Sequence, residues 1–178
     1  MGLRDRTLLT EGRCFFVTTT CEAHGFFLID KACFDILYEN IHFYNEKYKA
    51  RLIAYVFMSN HIHLILYFDE DMRLSDYMRD FKKMTSRKLR DYLLKRHTGL
   101  ATSLVHETRN QFFKIWEDRF DDVWLNSRDV CETKLAYMHE NPVKAGLVNV
   151  PEDYPHSSAR FYLTTNKHSA LLDYRDVF

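Results

Sequence analysis

Two histidines separated by one isoleucine stand in the run Asn60-His61-Ile62-His63-Leu64-Ile65-Leu66. The run reads as a buried strand, whose side chains alternate between faces with a period of two. His61 and His63 therefore project from one face, about 7 Å apart along the chain. Strand interiors usually hold Val or Ile rather than paired ionisable rings. Two imidazoles side by side make a platform for a divalent cation, whose open positions would take substrate oxygens. Imidazole alone favours zinc, copper, iron or nickel over magnesium. The plainer alternative is two histidines making ordinary hydrogen bonds.

A second constellation falls on a helix expected over about residues 128–140. Cys131, Leu135 and Met138 share the side assigned to the core, and Lys134, Tyr137 and Asn141 lie on a neighbouring stripe. A phenol, a carboxamide and an ammonium are thus presented together. They suit a nucleophile, a third metal ligand and a phosphate contact. The plainer reading is a packed tyrosine, a capping asparagine and a solvated lysine. His139 points away from Tyr137 on the helical wheel and is not assigned as a base. A third group is basic: Arg79, Lys82, Lys83, Arg87, Lys88, Arg90, Lys95 and Arg96, against only Asp80 and Asp91. An apolar stripe turned inward leaves most of these cations outside. Arg79, Lys82, Lys83, Arg87 and Arg90 are the candidate contacts to a phosphate backbone. A solvated helix face is the ordinary explanation of such a run.

The elements that must hold these groups follow from periodicity. Residues 14–20 (CFFVTTT) are β-branched and aromatic, a first strand. Asp30 caps a helix with apolar residues at Cys33, Phe34, Leu37, Ile41 and Tyr44. Residues 51–58 and 61–68 form an antiparallel hairpin turned at Ser59-Asn60. A second helix carries the stripe Leu74, Tyr77, Phe81, Met84 and Leu89, starting near Ser75 or Asp76. Strand, helix, hairpin, helix is most of a ferredoxin-like or RRM-like split βαβ unit, an α+β fold. Residues 112–116, 120–125 or both supply the missing strand, after a loop-rich stretch over 97–110. In the third helix Asp129 and Glu132 resemble a capping box. Asn141-Pro142 reads as an N-cap with proline at the first helical position, and Gly146 closes that turn. The tail from 151 to 178 is irregular, anchored by Tyr154, Phe161 and Tyr162.

At 178 residues the chain is expected to be one domain, a core over about 14–148 and a tail over 149–178. Met1 to Arg13 carry no long apolar core, and no stretch approaches a membrane span, so a cytoplasmic protein is expected. Cys14, Cys21, Cys33 and Cys131 form no C-x-x-C pair and read as free thiols. A net charge of zero argues against a uniformly basic nucleic-acid-coating protein, though not against a local basic patch.

These residues resemble a known family. His61-Ile62-His63 is similar to the "HUH" motif of single-tyrosine transposases. Residues 134–148, KLAYMHENPVKAGLV, resemble the tyrosine-helix signature of the REP-associated branch. Tyr154-Pro155-His156-Ser157-Ser158 resembles that branch's Tyr-x-x-Ser-Ser tail, and Phe81 to Ser86 fit the helix after the hairpin. Ser59 stands where many relatives have proline. The resemblance implies a ferredoxin-like sheet with helices on one face and a tyrosine-bearing helix near the histidine strand. It implies cleavage and strand transfer of single-stranded DNA beside hairpins of REP type, with magnesium or manganese, by a monomer or homodimer. By position Tyr137 is the nucleophile through a 5′-phosphotyrosine, His61 and His63 are metal ligands, and Asn141 is the third. Lys134 would steady the scissile phosphate. The rivals are a non-catalytic module binding DNA or RNA hairpins on the same fold, and a metal hydrolase activating water at His61 and His63. No H-E-x-x-H or carboxylate cluster supports the hydrolase.

Overall fold

The computed structural model describes residues 13–69, 73–97, 99 and 114–165. Strand β1 (Cys14–Thr20) leads through a turn at Glu22–His24 to helix α1 (Lys31–Tyr48). The hairpin strands are β2 (Ala50–Phe57) and β3 (His61–Phe68), followed by α2 (Leu74–Arg96) and β4 (Asp121–Trp124). The sheet order is β2-β3-β1-β4, with every neighbouring pair antiparallel. Two interleaved βαβ units give this order, which is the ferredoxin-like arrangement expected. The missing strand comes from the later candidate: Asp121–Trp124 pairs with β1, while Trp116 makes a single bridge to Cys21. The loop-rich stretch expected over 97–110 lies almost wholly outside the described residues, as do 1–12 and 166–178.

One sheet face and the two long helices form the main core. Phe15 and Val17 of β1 and Ile62, Leu64, Leu66 and Phe68 of β3 meet Leu37 and Ile41 of α1 and Tyr77 and Phe81 of α2. Asp30 caps α1, its side chain accepting from the Cys33 N–H. The α2 stripe differs from expectation at one position. Thr85 is buried where Met84 was expected, and Met84 is exposed. The buried ridge runs Tyr77, Phe81, Thr85, Leu89, Leu93 in steps of four. The threonine hydroxyl fits because it donates to the Phe81 carbonyl (2.7 Å) and accepts from Trp116 Nε1 (2.9 Å). The helix starts at Leu74, next to the expected Ser75 and Asp76. Arg73 holds the cap position, and Asp76 pairs with Arg73 and Arg79.

The opposite face carries a smaller cluster, including Phe16, Ile53, Val56, Ile65 and Met138. Helix α3 (Arg128–His139) lies there. Its cap is Ser127, whose Oγ accepts from the Val130 N–H, and not the expected Asp129–Glu132 box. A serine in extended backbone one residue before the helix makes the cap that Asp129, already in the first turn, cannot. Short helices α4 (Asn141–Lys144) and α5 (Ala159–Leu163) follow. The described part of the tail, up to residue 165, is hydrogen-bonded to β2 where an irregular segment was expected. The Phe57 N–H donates to the His156 carbonyl and the Ser158 N–H to the Tyr55 carbonyl. Tyr154 and Tyr162 donate their hydroxyls to the Phe57 and Ile53 carbonyls. All four cysteines are free.

Buried His139 joins α3 to this tail through Ser158 Oγ, 2.8 Å away. Burial lowers its pKa from 6.5 to about 4. Between those values the unfolded chain binds a proton that the folded ring refuses, so stability rises with pH across the window and is lost on acidification. The loss is on the order of 3 kcal/mol. Buried His63, lowered to about 3, acts with the same sign. His139→Gln should flatten the plot of urea midpoint against pH between 6.5 and 4; an unchanged slope would refute the assignment.

Candidate functional site

The β1–β3 register sets Thr18 opposite His63 and Thr20 opposite His61. Both imidazoles stand on the face away from α1 and α2, with ring centroids 4.8 Å apart. His63 is 3% exposed, stacked on Phe16 at 5.1 Å, and shares a 2.8 Å hydrogen bond between Nδ1 and Thr18 Oγ1. Its pKa is lowered to about 3 by burial first, then by His61 and Lys134, so it is neutral at pH 7. His61 Nδ1 lies 2.7 Å from Asn60 Oδ1. Burial, then nearby His24, lower the His61 pKa, while a hydrogen bond with Asn141 opposes them.

Tyr137, on α3, comes to this pair from far along the chain. Its ring centroid lies 5.7 Å from that of His63 and 6.2 Å from that of Phe16, and it is 46% exposed. Lys134 Nζ sits 5.2 Å from the Phe16 ring centre and 5.7 Å from that of Tyr137. Lys144 Nζ lies 5.2 Å from the Tyr137 ring centre. Sequence reasoning missed Lys144. The signal was its spacing, seven residues after Tyr137, which is two helical turns and so one face. It was hidden by the helix break expected before Pro142.

Helix α3 ends at His139, in keeping with the stop expected before Pro142, and α4 starts at Asn141; Glu140 between them stays in α backbone, and the Lys144 N–H donates to its carbonyl. Pro142 has no N–H to give the Met138 carbonyl. Asn141 Nδ2 substitutes, reaching the carbonyls of Tyr137 (3.0 Å) and Met138 (3.5 Å). Asn141 is therefore a bridge across the proline and not the N-cap expected. With its nitrogen so occupied, its oxygen is the group left for His61.

This donor set fits a cation. His63 Nε2 is buried and has no hydrogen-bond partner. Neutral His61 can donate to only one of the two carboxamides beside it, Asn60 and Asn141. Two imidazole nitrogens and a carboxamide oxygen thus have lone pairs to share. Among the described residues no cluster of three or more His, Cys, Asp or Glu side chains offers another centre.

The basic candidates fall elsewhere. Arg79, Lys82, Lys83, Arg87 and Arg90 belong to α2, on the sheet face opposite the histidines. Arg79 pairs with Asp76 and Asp80, and Arg90 with Asp91. Lys82 donates to the carbonyls of Glu117 (2.6 Å), Asp118 (3.1 Å) and Arg119 (3.1 Å). Burial lowers its pKa to about 8. Lys83 and Arg87 are exposed.

The sequence profile of the IS200-like transposases matches residues 16–121 of the 178, and the chain belongs to that family. DNA transposition is the class of function this family defines. The matched segment contains His61 and His63 and ends before Tyr137. Among solved structures the chain is similar to a REP-associated tyrosine transposase bound to a REP hairpin. Identity is 20%, TM-score 0.66, and the match covers 94% of this chain and 88% of that one. It also matches a candidate transposase from Deinococcus radiodurans R1 at 12% identity and TM-score 0.49, over 71% of this chain and 88% of that one. A comparison with curated protein sequences finds no match. No helix among the described residues is long and apolar enough to cross a membrane.

Lys82 and Arg87 separate architecture from surface charge. Lys82→Met should lower thermal stability by about 1–3 kcal/mol, since three carbonyls lose a charged donor. Arg87→Ala should stay within about 0.5 kcal/mol. Calorimetry of the two variants reads the difference, and equal effects would contradict it.

Proposed function

We propose that the chain cleaves single-stranded DNA beside REP-like hairpins and rejoins it, with Tyr137 as nucleophile. One observation carries this reading: the exposed Tyr137 phenol stands beside buried His63, whose Nε2 has no partner. Similarity to a hairpin-bound REP-associated transposase supports the substrate class. His61, His63 and the Asn141 oxygen would hold magnesium or manganese. A bound divalent ion would polarise the scissile phosphate and offset its negative charge.

The chain's own residues do the rest. Tyr137 Oη attacks phosphorus as the bond to the 3′ oxygen breaks, giving a 5′-phosphotyrosine and a free 3′-hydroxyl. The phenolic proton passes to solvent, and a proton returns to the leaving 3′ oxygen. Attack by another 3′-hydroxyl reverses the step and joins strands, so no nucleotide cofactor is needed. Lys134 and Lys144 flank the phenol and lower the cost of gathering negative charge there. Thr18 and Asn60 hold the two imidazoles through Nδ1, leaving Nε2 inward. Residues 14–148 and the tail 149–178 act as one domain in this reading, and Lys83 and Arg87 are exposed cations of α2.

A nicking assay on hairpin-bearing single strands with manganese tests the proposal. Wild type should yield a covalent protein–DNA adduct on a denaturing gel and Tyr137→Phe none. An adduct persisting in Tyr137→Phe would defeat it, and adduct-free cleavage would favour water activation instead. Lys144→Met should slow single-turnover cleavage by about tenfold to a hundredfold with a smaller effect on binding. A rate unchanged by Lys144→Met would remove that residue from the mechanism.

A further inference from the structure

We propose that the turn after β1 is a stacking platform for an unpaired nucleobase of the strand entering the His61–Tyr137 site, with Phe26 and His24 as its contacts. The inference rests on the single-stranded substrate proposed above. Its first support is position. Thr20 pairs with His61, the Cys21 N–H donates to the Asn60 carbonyl, and the turn follows at once. The His24 imidazole lies within electrostatic reach of His61.

The second support is an unusual backbone held from several sides. Ala23 (φ 51°) and His24 (φ 55°) both occupy the left-handed region, which residues with a Cβ avoid. Glycine is the usual occupant of such positions, yet the nearby glycine, Gly25, has an ordinary φ of −64°. The Glu22 N–H donates to the Ile115 carbonyl and the Ala23 N–H to Glu117 Oε1, each at 2.8 Å. Lys114 pairs with Glu22 at 2.8 Å. Non-glycine residues so constrained cluster at ligand clamps and switch regions.

The third support is what the turn displays. Phe27 and Leu28 are buried, and the Leu28 N–H donates to the Ser59 carbonyl. A Cβ on Gly25 would collide with the Phe27 ring, so glycine lets that ring tuck back. Phe26 between them is 63% exposed, the most exposed large apolar side chain among the described residues. His24 is exposed beside it. An exposed aromatic ring next to a constrained backbone turn suits the face of an unpaired base, whereas bases within a duplex already stack on one another. Stacking needs no net positive charge, which matches a neutral chain.

The test is equilibrium binding in EDTA, where no cleavage is required. The probes are a DNA hairpin with a single-stranded flank carrying 2-aminopurine and the same hairpin without the flank. Wild type should prefer the flanked hairpin and change the 2-aminopurine emission. Phe26→Ala should lose about tenfold in affinity for the flanked hairpin alone and abolish the emission change, while Phe26→Trp retains both. Unaltered melting of Phe26→Ala would confirm that the loss is not one of folding. Wild type showing no preference for the flank would overturn the platform, as would Phe26→Ala and His24→Ala each binding within about twofold of wild type with the emission change intact. An adduct in the nicking assay together with unaffected Phe26→Ala binding would refute the platform and leave the cleavage reading standing.

Discussion

The alternation of side chains along β3 is the constraint on which the molecule depends. Ile62, Leu64, Leu66 and Phe68 feed the face covered by α1 and α2, and all are fully buried. His61 and His63 are the residues between and before them, so they must face the other way. Shifting the strand by one residue would turn four core side chains out and push both imidazoles under the helices. At roughly 2 kcal/mol for each apolar side chain lost from the core, no local gain at the histidines could offset that shift. The register of the site is thus set by residues that never touch it. Pairing with β1 on one side and β2 on the other then supplies Thr18 for His63 and rigidity for both rings.

Helix α3 solves a different problem. Tyr137 on α3 and Lys144 on α4 meet because Glu140, between the two helices, stays in α backbone. Proline removes a donor, and Asn141 returns it from its side chain. The same carboxamide then has one oxygen to spare, on the side of the histidines. A backbone repair and a candidate ligand are therefore one residue, which makes its contributions to stability and chemistry inseparable by simple truncation.

Much of this was legible in the sequence because it rests on periodicity. The histidine pair shares a face, α1 is capped by Asp30, and the strand–helix–hairpin–helix order gives the split βαβ sheet. Where local rules compete, reading failed. Ser127 outdid a capping box that starts two residues later, and Thr85 replaced Met84 because the Phe81 carbonyl and distant Trp116 satisfied its hydroxyl. Pro142 marked the break correctly, but the N-cap of the helix after it is Glu140 and not Asn141. Phe16 at the site was invisible for another reason: its place beside Tyr137 is set by packing between elements. The basic run was legible as charge, but not as charge on the face away from the histidines, nor could the sequence reveal that Lys82 clamps three carbonyls.

The hydrogen bonds from residues 154–162 to β2 have an effect on assembly. β2 is an outer strand of the sheet, and an outer strand with free N–H and C=O groups is a template for another chain. Here the outward groups of Tyr55 and Phe57 are taken by Ser158, His156 and Tyr154, and the Ile53 carbonyl by Tyr162. Two copies of this protein cannot fuse their sheets through those positions unless the tail lets go. The segment that carries the Tyr-x-x-Ser-Ser sequence thus closes this part of the β2 edge to another strand.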